Sequence, residues 1–138
     1  MLDSYTIIPK TDEDRFDVGD LISKVEGLPT AVRLPGTLYS LQRQSPESVY
    51  VIGSNEDQAR RIREWTSAGN TLERYWGSVA HLEIAPESVL VQQAAPEGVV
   101  QQVSALLLPF LKRQPFRIFS EYAEETAAFA PSPERLFE

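Results

Sequence analysis

Apolar residues recur along most of this chain, and their spacing switches repeatedly between the two-residue period of a strand and the 3.6-residue period of a helix. SYTIIP reads as a short strand at Tyr5 to Ile8, ended by Pro9, which lacks a donor for the ladder. In DVGDLISKVEGLP, Val18, Leu21, Ile22 and Val25 fall at helical spacing, and Gly27 with Pro29 supplies the stop. Gly19 weakens the first turn of that helix. TAVRLPGTLYSLQRQ predicts two short strands around a Pro35-Gly36 turn, the second mixing Leu38 and Tyr39 without a clean polar face. SVYVIG is apolar on both faces and predicts a central strand.

Ser54 or Asn55 is placed to cap a helix running from Asn55 to Ala68, with Glu56 and Asp57 at the positive end of its dipole. Ala59, Ile62, Trp65 and Ala68 form its apolar stripe, and Gly69-Asn70 ends it. GSVAHLEIAP alternates, with Ala80, Leu82 and Ile84 on one face and Val79, His81 and Glu83 on the other, which predicts a half-buried strand. ESVLVQ is again apolar, and Val99, Val103, Leu106, Leu107 and Phe110 mark a helix from Pro96 to Lys112. Pro109 removes the donor to the Ala105 carbonyl, so a kink or an end is expected there. PFRIFSEY predicts a last strand and EETAAFA a short helix.

These elements predict a single α+β domain over residues 1–138. It should have about six strands in a mainly antiparallel or mixed sheet, with three main helices packed on it. Pro46-Glu47-Ser48-Val49 is echoed by Pro86-Glu87-Ser88-Val89, each ahead of a buried strand that runs into a helix. Two readings stay open: a duplicated strand–strand–helix unit over residues 37–113, or a coincidence of turn-forming residues. A repeated functional site is the weakest alternative, since only Glu47 and Glu87 could do chemistry and both fall in turns.

Composition narrows the classes. Of 138 residues, 42% are hydrophobic and 24% charged, with two Trp, five Tyr and six Phe, a balance that supports a folded core. Cysteine is missing, which excludes disulfides, thiolate metal sites and cysteine nucleophiles. No basic leader and no run of roughly 20 apolar residues occurs, so a cytoplasmic protein without a membrane span is expected. The net charge of −7 argues against direct nucleic-acid binding, which draws its affinity from Lys and Arg. The acids concentrate at the ends, −4 over residues 1–26 and −4 over residues 118–138, and would form one negative surface if the termini meet.

No motif specifies a reaction. His81 is the one histidine, and with Glu83 it offers two ligands on a strand face, too few to define a metal site. An ordinary surface or interface histidine is the simpler account of it. Gly53-Ser54 lacks the second glycine of a nucleophile elbow, and Ser54 is better read as a helix cap. Arg60, Arg61 and Arg63 could bind phosphate, but Glu56, Asp57 and Glu64 stand at helical spacing to pair with them. Arg74, Tyr75 and Trp76 combine the residue types that dominate protein interfaces, although Trp76 could equally cap the core.

No family motif maps onto the sequence residue by residue. By size, charge and composition, the chain resembles bacterial toxin-neutralising immunity proteins, whose negative surfaces cover basic toxin sites. It also resembles acidic secretion chaperones, which usually begin with a helix rather than a strand. The expectation is a cytosolic acidic protein-binding module, inhibitor or immunity-like, that covers a basic partner and needs no cofactor. Asp12, Glu13, Asp14, Glu121, Glu124 and Glu125 would pair with the partner's Lys or Arg, while Tyr75 and Trp76 anchor contact. The alternative is a small metal-independent enzyme with a site formed by His81, Glu83 and an arginine.

Overall fold

The computed structural model describes residues 3–35, 48–119 and 133–137. They form β1 (Ser4–Pro9), α1 (Gly19–Glu26), β2 (Ala31–Leu34), β3 (Val49–Ile52), α2 (Glu56–Ser67), β4 (Ala80–Ile84), β5 (Val89–Gln92), α3 (Glu97–Arg113) and β6 (Phe116–Phe119), with 3₁₀ turns at Glu73–Tyr75 and Pro133–Phe137. Six strands make one sheet in the order β2-β3-β4-β5-β1-β6, and every neighbouring pair is antiparallel. The chain is a small single domain of the α+β class. Among the described residues no helix is long and apolar enough to cross a membrane.

Alternation along the strands divides the core into two layers. Tyr5, Ile7, Tyr50, Ile52, Leu82, Val89 and Val91 face α1 and α3, where Leu21, Val25, Val99, Val103 and Leu107 meet them. Val32, Leu34, Val49 and Val51 point to the opposite face, under Ala59 and Ile62 of α2. α2 therefore covers the β2–β3 side of its face and leaves the β5–β1–β6 side to other groups. Thr6, Ile8, Leu90 and Gln92 are half-buried there.

Local chemistry sets most boundaries. Asn55 caps α2 with its side-chain oxygen, which accepts from Gln58 N at 2.8 Å, while Gln58 Oε1 reaches back to Ser54 N at 2.6 Å. The cap is thus Asn55, and Ser54 precedes it. Asp57 pairs with Arg60 and, at 3.0 Å, with Arg61, the intrahelical bridges that their spacing suggests.

Three expectations are corrected. β4 is not half-buried: all five of its residues are buried, His81 at 6% exposure and Glu83 at 0%. It lies inside the sheet between β3 and β5, with α1 and α3 packed on one face and its other face also buried, so alternation of polarity does not report exposure. α3 does not end at Pro109 but continues to Arg113. Ala105 is exposed, so water can take its released carbonyl, and burial of Phe110 and Leu111 holds the last turn. Nor is His81 a surface residue.

The strand expected after Gly36, the helix in EETAAFA and the first copy of the Pro-Glu echo lie outside the described residues. Of that echo, Ser48 precedes β3, which is buried throughout, whereas Ser88 precedes β5, which is buried only at alternate residues rather than on both faces as expected, and the helices that follow, α2 and α3, pack on opposite faces.

Buried tyrosines tie distant segments. Tyr5 Oη donates to Gln93 Oε1 at 3.1 Å, and Gln93 Nε2 donates to the Leu136 carbonyl at 2.8 Å, which fastens the C-terminal 3₁₀ turn beside β1 and β5. Tyr50 Oη donates to Glu26 Oε1 at 3.0 Å, an oxygen that also accepts from Arg33 at 2.7 Å. Burial pushes the Tyr5 phenol above its usual range, and burial followed by the Glu26 carboxylate pushes Tyr50 up to about 12.

Replacing Pro109 by Ala restores a helix donor and should stabilise the protein by about 1–3 kcal/mol in urea unfolding; an unchanged or lower midpoint would show that Pro109 is needed where it stands. The raised tyrosines contribute stability that is complete below the ordinary value of 10 and lost as pH rises through the folded value near 12 for Tyr50. The unfolding free energy should therefore fall between those limits, and Tyr50→Phe should make the fall shallower.

Candidate functional site

The antiparallel register lines up Val51, His81, Gln92 and Ser4 as one row across β3, β4, β5 and β1. The row lies on the α2 face, beyond the edge of the helix's own coverage. It floors a cavity of about 310 Å³ walled by Leu72, Trp76, Gly77 and Val79 from the segment between α2 and β4, with Asp3 ahead of β1 and Ala94 after β5. Most of that wall is apolar. Asp3, Ser4, His81 and Gln92 supply the polar groups, and among the described residues of the wall there is no lysine or arginine.

His81 is held from behind. Its Nε2 lies 3.2 Å from Glu83 Oε2, two residues along β4 on the same face, within reach of an imidazole that carries its proton on Nε2. A carboxylate bonded to one ring nitrogen fixes the ring's orientation. Glu83 does not line the cavity. The arginine expected beside this pair is not brought to it among the described residues: Arg74 instead lies over the Trp65 ring at 4.9 Å, and Arg60 and Arg61 pair with Asp57. Nor does any group of three His, Asp or Glu side chains gather at metal-binding spacing among the described residues.

A tight turn presents Trp76. Trp76 has φ −59° and ψ 134°, Gly77 has φ +85°, and Ser78 N donates to the Tyr75 carbonyl at 2.9 Å. These values define a type II turn, in which the third residue needs a positive φ that glycine adopts without steric cost. The turn separates two neighbours that the sequence leaves equivalent. Tyr75 is half-buried against the α2 core, whereas Trp76 is 54% exposed at the mouth of the cavity. Of the described large apolar side chains, Trp76 and Phe119 are the exposed ones.

Asp12, Glu13 and Asp14 are exposed in the loop after β1. Asp12 takes an ion pair from Arg117 at 2.9 Å, and Arg15 Nη1 donates to the Asp12 and Asp14 carbonyls. This loop follows Pro9, while Asp3 and Trp76 line the cavity at the opposite end of β1, about 20 Å away by strand length. Glu121, Glu124 and Glu125 lie outside the described residues.

A second cavity of about 280 Å³ opens between α1 and α3, lined by Asp17, Asp20, Lys24, Phe110, Arg113 and Gln114 among others. Its charges pair with one another: Asp20 meets Arg113 at 3.1 Å and Lys24 at 3.4 Å. The Arg113 hydrogen bond, followed by Lys24, holds the Asp20 carboxyl below its ordinary range. Gln114 also brackets Asp17, accepting from its N–H and donating to its carbonyl. Those contacts read as a clasp between helices.

No family model, curated protein or solved structure matches the chain.

The sequence pointed to His81, Glu83 and Trp76 but missed Gln92 and Ala94, which the pairing of β4 with β5 sets beside His81, and Asp3, which the pairing of β1 with β5 brings to the same cavity. Because His81 and Glu83 are buried together, a double-mutant cycle with His81→Ala and Glu83→Ala should give a coupling energy of about 1–3 kcal/mol in unfolding. Additive effects would mean that the pair contributes nothing jointly.

Proposed function

We propose that the chain is an acidic binding module for a basic protein, docked on the face that carries Trp76. The observation that carries this reading is Trp76 itself, held half in solvent by the turn at Gly77 on a chain of net charge −7. Tryptophan at the edge of a partly filled cavity is the kind of residue that dominates binding energy, because it brings a large rigid area at little conformational cost. Surface acids such as Glu13 and Asp14 act at longer range, speeding encounter with a basic partner rather than adding much affinity each. An inhibitory, immunity-like role in the cytoplasm is the specific form of this proposal, with Tyr75 bracing Trp76 from the core side.

A second reading, a metal-independent enzyme, is favoured by one feature: His81 lines the cavity and is oriented by a buried carboxylate. Among the described residues no arginine lines this wall, whereas the binding module rests on a side chain that is present there, Trp76.

Affinity capture from lysate of the source organism at low salt, run in parallel with wild-type and Glu13→Lys/Asp14→Lys bait, tests the proposal. A basic protein retained by the wild type, released by salt and associating about tenfold more slowly with the charge-reversed bait is the expected result. Association with unchanged rate and unchanged salt dependence after charge reversal would overturn it.

A further inference from the structure

We infer that the cavity beneath Trp76 is a receptor for an arginine side chain of the partner, with the alkyl stem in the apolar well and the guanidinium between the indole and Asp3. This rests on the protein-binding reading above and goes further by naming the group that the partner inserts. Four features of the cavity converge on that ligand.

Its volume, about 310 Å³, is at the small end of ligand sites and suits one long side chain better than a polycyclic molecule. Val51, Leu72, Val79 and Ala94 give the well an apolar surface, which matches the methylene stem of arginine. At the mouth, Trp76 keeps 54% of its surface open, and a planar guanidinium stacks on an indole more favourably than an ammonium does. This chain already makes that contact internally, with Arg74 over Trp65 at 4.9 Å.

Charge decides between a cationic and a neutral occupant. Asp3 is the only formally charged acid or base on the described wall, and it is exposed, so its carboxylate stays hydrated until a cation replaces the water. Ser4 and Gln92 add oxygen acceptors beside it, while His81 directs Nε2 toward Glu83. A lysine or arginine of the chain itself, which would fill or repel, does not line the well among the described residues.

The test uses the full chain labelled with ¹⁵N and titrated with a capped, glycine-flanked arginine peptide, its citrulline counterpart and its lysine counterpart. Citrulline keeps the shape of arginine and removes the charge, so the protein is left unaltered in the decisive comparison. Saturable shifts of the Trp76 indole N–H and of the Gln92 and Ala94 amides are expected with arginine. Binding should be about fivefold weaker with citrulline or in Trp76→Ala, and weaker again in Asp3→Asn combined with Trp76→Ala. Equal shifts from arginine and citrulline, or shifts confined to the Asp12–Asp14 loop, would overturn the inference. Those two results leave the protein-binding proposal standing, because it is decided separately by the rate effect of reversing Glu13 and Asp14. If that rate effect fails while the arginine peptide binds, the broader reading falls and the pocket remains.

Discussion

Burial of β4 on both faces is the constraint from which the rest of the structure follows. Ala80, Leu82 and Ile84 enter the larger core, so His81 and Glu83 must enter the layer on the other side. An isolated carboxylate in that position would be too costly to keep, and an imidazole with no partner would lose a hydrogen bond for nothing in return. Their 3.2 Å contact gives each a partner and holds the imidazole in one orientation at the floor of the cavity. Had the strand been placed at an edge, the same two residues would be an ordinary exposed pair.

The helices are shared unequally between the faces, and that inequality creates the site. α1 and α3 seal one face through Val25, Val103 and Leu107, and a clasp of Asp17, Asp20, Arg113 and Gln114 joins their ends. α2 is a single helix over β2 and β3, and the chain leaving it crosses to the cavity before it enters the sheet as β4. The crossing segment, Leu72 to Val79, becomes a wall, and the turn at Gly77 aims Trp76 outward while Tyr75 packs inward. A scaffold element and a recognition element are thus adjacent residues.

Charge is distributed to serve different distances. Asp20, Asp57 and Glu26 are engaged in ion pairs that hold local structure together, and such exposed pairs each contribute little to stability. Asp12 pairs with Arg117 across β1 and β6, whereas Asp3 stands at the mouth of the Trp76 cavity. A net charge of −7 therefore acts as a background field, and among the described residues Asp3 is the acid that adds position to it at the proposed pocket.

The sequence by itself determined the local elements, because their signals are local. The helical spacing of Val18, Leu21 and Val25 gives α1, Ser54-Asn55 ahead of Glu56 and Asp57 gives the start of α2, and the runs at β3 and β5 announce their strands. It also determined the α+β class and the absence of sulfur chemistry. What it left open depends on contacts between distant residues. Hydrophobic alternation in AHLEI is the same whether its second face meets water or is covered by protein, so the burial of His81 and Glu83 could not be read from it. Pro109 looks like a stop until Phe110 and Leu111 are seen anchored in the core. Tyr75 and Trp76 are equivalent by composition and are separated only by the turn and by which of them meets α2. The cavity itself came from tertiary structure, since β1 reaches β5 across more than eighty residues of chain and no local preference specifies that partner.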